Sequence, residues 1–284
     1  MREPGRTESG ETSTLVVEGG GLRGAFGAGV LSELHAHGAA RFDDVVAVSS
    51  GAPTAAYLAA GQPADGLRIW EDHTHGAQLI SPKNWLRASP LMDIDRLVDV
   101  FDRGVPLDVG RLQAARCHVV VTNCETGRAE YVRATPSNAL ALLKATMAIP
   151  VAYGKVVHVD GVPYIDGGVA DAIPVRHALT LGARCTVVVL TRPRGYRRKR
   201  SRAGAFLMAR TYARYPAVGR ALAARWRTSN DSLDLVDELE KKGEVSVIRP
   251  EVALAASRLS TRREDILATI EAGRTAARRW LAAR

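Results

Sequence analysis

Cysteine is scarce in this sequence. Cys117, Cys124 and Cys185 are the only three, an odd number, and no two have C-x-x-C spacing. That argues against a disulfide framework and suits a reducing compartment. Cys117 and Cys124 lie in or beside an apolar, strand-like run, where a buried thiol is the plain reading. No apolar run is long enough to span a membrane, which excludes an integral helical membrane protein. The opening stretch MREPGRTESGET has no apolar middle, so it is not a signal peptide. Residues 1–13 read as a disordered lead-in and the protein as cytoplasmic. Lysine is rare too, 6 against 33 arginines. Acids are missing from one window altogether: Arg192 to Arg227 holds twelve Arg or Lys and no Asp or Glu, in a chain of formal charge +9. The basicity is therefore local and needs a local explanation.

What is present is apolar patterning, with 46% hydrophobic residues. Val16 to Glu18 closes a first strand. Phe26, Val30, Leu31 and Leu34 then recur at helical spacing over Ala25 to His37, and Gly38 is placed to end that helix. Val45 to Val48 is a second short strand, followed by a small-residue helix over Ala52 to Ala60. Leu67 to His73 and Ile94 to Phe101 read as surface-capping helices around an irregular stretch with Pro82 and Pro90. His118 to Thr122 and Ala129 to Val132 form a hairpin across Glu125-Thr126-Gly127. A helix over Ser137 to Met147 follows. Val156 to Val159 and Tyr164-Ile165 then flank Asp160-Gly161, a two-residue hairpin turn. Val175 to Leu181 is a helix and Cys185 to Leu190 a core strand. The remainder is mostly helical, broken by Val245 to Ile248. Strands alternate with helices and no linker or repeat intervenes. Residues 14–284 therefore read as one α/β domain with a mainly parallel central sheet flanked by helices.

The stretch Gly19-Gly20-Gly21-Leu22-Arg23-Gly24 contains G-x-G-x-x-G, the letter pattern of a dinucleotide-binding turn. That function needs an acid at the end of the second strand to hold a ribose hydroxyl. Asp43 and Asp44 precede that strand instead. At its end stands Ala47-Val48-Ser49-Ser50-Gly51, one alanine away from G-x-S-x-G, which places a serine on a tight strand-to-helix turn. The competing reading of Ser49 is a helix N-cap.

A nucleophilic serine needs a base. Of His35, His37, His73, His75, His118, His158 and His177, none sits in a late loop after an acidic partner, as a triad requires. His73 and His75 lack a third metal ligand and read as a solvated helix face. His177 reads as a packing or surface residue. Asp166 is better placed: it ends a strand and is followed by Gly167-Gly168. A desolvated carboxylate there has its pKa raised enough to accept a serine proton, and an ordinary Asp-Gly turn is the competing reading.

Together these stretches resemble the patatin-like phospholipases, closest to their compact bacterial branch, from about Leu15 to Leu190. Ala145-Thr146-Met147-Ala148-Ile149-Pro150 and Ile173-Pro174-Val175 also resemble segments of that family. The resemblance implies a three-layer fold and a serine lipid acyl hydrolase with a Ser49–Asp166 dyad. It implies an oxyanion hole from Gly19, Gly20, Gly21, Leu22, Arg23 and Gly24. Ala47, Val48, Ser50 and Gly51 would form the nucleophile elbow, and Gly167 and Gly168 the dyad loop. It implies no cofactor and no metal, and a lipid or fatty-acyl ester as substrate. Arg23 is expected to brace the loop or offer its charge near the site, Asp171 to hold the loop after the dyad, and the stretch from Trp70 to Phe101 to line the pocket.

The basic window 192–227, with Phe206, Leu207, Met208, Tyr212, Tyr215, Leu222 and Trp226 interleaved, suits adsorption to an anionic membrane surface. An arginine-rich helix pair packed on the core fits it equally. No nucleic-acid module is recognisable, and none is expected. A nucleotide-binding α/β protein and a non-catalytic membrane-associated protein on a hydrolase scaffold stay open as alternatives.

Overall fold

The computed structural model describes residues 12–81, 90–113, 115–201 and 210–284. The expectations for residues 1–11, Pro82, Arg202, Phe206, Leu207 and Met208 fall outside them. In chain order the elements are β1 (Ser13–Val17), α1 (Ala25–Ala36), β2 (Asp44–Val48), α2 (Gly51–Ala59), α3 (Pro63–His73) and α4 (Ile94–Asp99). Then come β3 (Arg116–Asn123), β4 (Ala129–Arg133), α5 (Ala139–Thr146), β5 (Val157–Val159) and β6 (Val162–Asp166). The chain finishes with α6 (Val175–Thr180), β7 (Cys185–Val189), α7 (Pro216–Lys241), β8 (Ser246–Ile248) and α8 (Arg263–Ala282). One boundary differs in kind from the sequence reading. The helix expected to reach Phe101 stops being regular α at Asp99 and continues as a π turn over Val100–Gly104.

The strands form one sheet, ordered β5-β6-β3-β2-β1-β7-β8 with β4 also on β3. The β1–β2, β1–β7, β2–β3 and β7–β8 pairs are parallel, and the pairs involving β4, β5 and β6 are antiparallel. Both faces of the parallel part are covered, which is why its strands are continuous apolar runs instead of alternating ones. Leu15, Val17, Val45 and Ala47 face the layer holding Phe26, Tyr57 and Ile270. Val16, Val46, Val48 and Val188 face the opposite layer, with Val175, Val236 and Leu239. Each such fully buried Val or Leu contributes roughly 1.5–3 kcal/mol.

Helix α8 lies directly on α1. A methyl group added at Gly29 would sit 2.0 Å from the Ile270 carbonyl oxygen, and one at Gly273 2.1 Å from that of Phe26. The two backbones approach closely because neither helix has a side chain at the crossing.

The stretch after β7 is tied down rather than splayed. Arg194 pairs with Glu240 at 2.5 Å, and Arg197 pairs with Asp234 and Asp237, all on α7. Asn230 accepts the Arg198 N–H at 2.8 Å and donates to the Arg198 carbonyl at 3.1 Å. No described helix is long and apolar enough to cross a membrane.

Candidate active site

Two strand ends meet along one edge of β3. β2 runs along that edge until Val48 lies opposite Val120. β6 then takes over the same edge in the reverse direction, with Asp166 opposite Val121. β4 occupies the other edge, since Thr122 pairs with Ala129 there and with Ile165 of β6 here. The carboxyl ends of β2 and β6 thus face each other, and Ser49 and Asp166 are the residues at that gap. A side chain at Gly167 would strike the Val120 carbonyl at 2.1 Å, so the close approach needs glycine there.

Ser49 has φ +53°, a left-handed backbone that costs a non-glycine residue on the order of 1–3 kcal/mol. Ser50, not Ser49, occupies the N-cap of α2. The strain is held by specific bonds. The Ser49 N–H donates to Thr146 Oγ1 at 2.8 Å, and the Thr146 hydroxyl donates to the Val120 carbonyl at 2.6 Å. Ala47, the departure from G-x-S-x-G, lies in β2 with its side chain in the core, so the turn itself does not crowd its methyl group. Gly51 does need to be glycine, because a Cβ there would lie 2.7 Å from the Glu18 carbonyl oxygen.

Ser49 Oγ donates to Asp166 Oδ2 at 2.7 Å, and Asp166 Oδ1 accepts the Gly168 N–H at 2.7 Å. Both side chains are buried. Burial pushes the Asp166 carboxyl above its ordinary pKa, while the Arg225 charge and the bonds from Ser49 and Gly168 pull the other way. A buried carboxylate bonded to a serine hydroxyl is suited to general-base work.

The glycine-rich loop packs against the elbow. A Cβ at Gly19 would fall 2.7 Å from that of Ser49. The Gly20 N–H donates to Ser50 Oγ at 3.1 Å, and the Leu22 N–H to the Arg258 carbonyl at 3.2 Å. Gly21 has φ +59°. Gly24 is the N-cap of α1 and carries no side-chain cap. Arg23 is buried, and burial lowers its pKa to about 10. Glu18, beside it, accepts the Thr191 N–H at 2.5 Å and the Thr191 hydroxyl at 3.1 Å. Asp171 accepts the Tyr131 hydroxyl at 2.8 Å and the Ile173 N–H at 3.2 Å, which ties down the loop after the dyad.

The acids that a nucleotide site would use lie at the opposite end of the sheet. Asp43 takes the Ser13 N–H, and Asp44, the first residue of β2, pairs with Arg116 and His118. His177 stacks on Tyr131, rings 3.9 Å apart. Among the described residues, no group of three His, Cys, Asp or Glu is placed to hold a metal.

Ser49 opens into two clefts. One lies between apolar walls that include Tyr57, Trp70, Leu97, Phe101 and Met147. The other is lined by Asp166, Arg198, Arg225 and Arg258. Gly21, Ser49 and Ile149 border both. Ser49 and Asp166, singled out in the sequence, lie within hydrogen-bond distance of each other. Thr146 had no role assigned from the sequence, and the three arginines of the second cleft were not foreseen. Arg198 and Arg225 lie in the acid-free window, whose charge and interleaved apolar residues pointed to a membrane-facing or core-packed surface and not to this cleft.

Residues 15–179 match the family model described as patatin-like phospholipase. Residues 215–283 match a model described as a domain of unknown function, DUF6363. The uncharacterized protein YjjU of Escherichia coli (strain K12) is 33% identical over 196 residues, 67% of this chain and 53% of that protein. The chain thus spans about half the length of that curated relative. The crystal structure of VipD from Legionella pneumophila superposes with a TM-score of 0.50 at 14% identity, covering 98% of this chain and 69% of VipD. At that identity the likeness is one of fold.

Proposed function

This chain belongs to the patatin-like phospholipase family, and from that premise we propose that it is a serine lipid acyl hydrolase working through Ser49 and Asp166. The observation that carries the reading is the 2.7 Å Ser49–Asp166 hydrogen bond at the junction of an apolar and a basic cleft. Asp166 takes the hydroxyl proton as Ser49 Oγ attacks the ester carbonyl. The tetrahedral oxyanion is held by backbone N–H groups of the Gly19–Gly24 loop other than those of Gly20 and Leu22, assisted by the positive end of α1. Those two donate to Ser50 Oγ and the Arg258 carbonyl. Collapse expels the alcohol, which leaves with the proton from Asp166. Water then gives its proton to Asp166, attacks the acyl-enzyme and releases the fatty acid, and Ser49 recovers its proton.

The apolar cleft suits an acyl chain, because Tyr57, Trp70, Leu97, Phe101 and Met147 wall it with apolar side chains. Lys199, Arg200, Arg214, Arg220 and Arg227 are exposed and supply outward charge for contact with an anionic membrane surface. The dyad is tested by fluorophosphonate labelling and by turnover of p-nitrophenyl esters. Wild type should label and turn over. Ser49→Ala should not label, and Ser49→Ala and Asp166→Asn should each lose on the order of 10⁴-fold or more in kcat. Full turnover in either folded variant overturns the dyad.

A further inference from the structure

The basic cleft holds more positive charge than the hydrolytic dyad requires. Arg198, Arg225 and Arg258 line it together with Ser49 and Asp166. Neighbouring Arg194, Arg197 and Arg249 are paired with Asp234, Asp237 and Glu240. Among the described residues, no carboxylate lies within ion-pair distance of Arg198, Arg225 or Arg258, and the Nε atoms of Arg198 and Arg225 are buried without a hydrogen-bond partner. Burial, then the charges of Arg198 and Arg258, push Arg225 down to about 9, so it is still a cation at neutral pH. Like charges gathered in a partly buried cleft without ion-pair partners are unfavourable unless an anion joins them.

The cluster is held in place. Asn230 clamps the Arg198 backbone, the Arg258 carbonyl accepts the Leu22 N–H of the glycine loop, and Arg225 Nη2 lies 3.4 Å from where a Cβ on Gly168 would be. Arg23 and Arg192 add their charge to the three guanidiniums, and these five cations outnumber the two acids near them, Asp166 and Glu18. A phosphomonoester carries roughly −1.5 to −2 at neutral pH, and guanidinium forks match its oxygens geometrically.

We propose that Arg198, Arg225 and Arg258 form a phosphate subsite, and that this subsite selects acyl glycerol phosphomonoesters, phosphatidate and lysophosphatidate, over neutral and choline-headed lipids. With the scissile ester at Ser49, the acyl chain enters the apolar cleft and the short glycerol spacer delivers the phosphate to the arginines. A choline head would bring a quaternary cation among them. All three residues lie beyond the 15–179 stretch matched by the lipase family model, and Arg225 and Arg258 lie within 215–283. The segment of unknown function thereby becomes the part of the site that reads the head group. The lipid selectivity rests on the acyl-hydrolase reading; anion binding does not.

The test has a catalytic and a binding arm. The catalytic arm compares kcat/KM for lysophosphatidate, lysophosphatidylcholine and p-nitrophenyl butyrate in wild type, Arg198→Gln and Arg258→Gln, with Arg198→Lys and Arg258→Lys as charge-retaining controls. The expected result is a wild-type preference for lysophosphatidate over lysophosphatidylcholine. Its ratio to p-nitrophenyl butyrate should fall about 10- to 100-fold in each Gln variant and recover partly in each Lys variant. A wild-type preference for the choline lipid, or a ratio within about 2-fold of wild type in folded Gln variants, overturns the proposal.

The binding arm measures glycerol 3-phosphate and inorganic phosphate on Ser49→Ala at low ionic strength by calorimetry. Glycerol 3-phosphate binding that weakens about tenfold or more when Arg198→Gln or Arg258→Gln is added supports the subsite even if no ester is turned over, which would overturn the hydrolase reading alone. Absence of binding overturns the subsite. Equal binding of both anions with an unchanged lipid ratio marks a free-phosphate site and overturns the lipid assignment.

Discussion

Ser49 carries a strained backbone, and the group that restrains it is one hydroxyl away. Thr146 Oγ1 accepts the Ser49 N–H, and its hydroxyl donates to the Val120 carbonyl. Thr146→Val keeps the shape but leaves a buried N–H and a buried carbonyl without partners. It should cost about 1–3 kcal/mol in denaturant unfolding and lower kcat, while Thr146→Ser should recover most of both. The titration of Asp166 has a definite sign. The carboxylate must be ionised to act as base, and burial raises its pKa, so kcat/KM should rise with pH on a limb above the ordinary aspartate value of about 3.9. Arg225 opposes that rise, so Arg225→Gln should move the acid limb to higher pH; a limb that stays put or moves down refutes the coupling. The same raised pKa means that ionised Asp166 weighs against folding. Its favourable contribution is full below the unfolded pKa and is lost as pH rises through the folded one.

At the scale of elements, the periodic segments were legible. The helices after the glycine loop and after Ser49, and the two-residue turn at Asp160-Gly161, follow from local spacing and turn chemistry. That turn has both residues at positive φ, +49° and +82°, as a type I′ hairpin requires. Less legible was the end of α4, where Val100–Gly104 widens into a π turn for which the local sequence has no marker. The crossing of α1 and α8 was also hidden, because it pairs residues far apart in the chain. Gly29→Ala or Gly273→Ala would drive a methyl group into the opposing backbone. Either should destabilise the protein by about 1–3 kcal/mol and lower the thermal midpoint. A midpoint unchanged in both would show that the helices separate freely.

At the scale of the whole molecule, the C-terminal third is built into the site and the core. α7 supplies Val236 and Leu239 to one face of the sheet and α8 supplies Ile266 and Ile270 to the other. A chain ending at residue 201 should therefore lose cooperative unfolding and bind hydrophobic dye; a sharp transition would mean that residues 12–201 bury their own sheet. Sequence by itself singled out Ser49, Asp166, the glycine loop and the alternation of strands and helices, because each rests on chemistry within a few neighbouring residues. Tertiary structure decided how β2 and β6 share one edge of β3, which brings two residues 117 positions apart within 2.7 Å. It also decided where the charge of the acid-free window goes: some arginines pair with α7, and two join Arg258 beside Ser49 and Asp166. Charge in a sequence has no direction until packing fixes what each guanidinium faces.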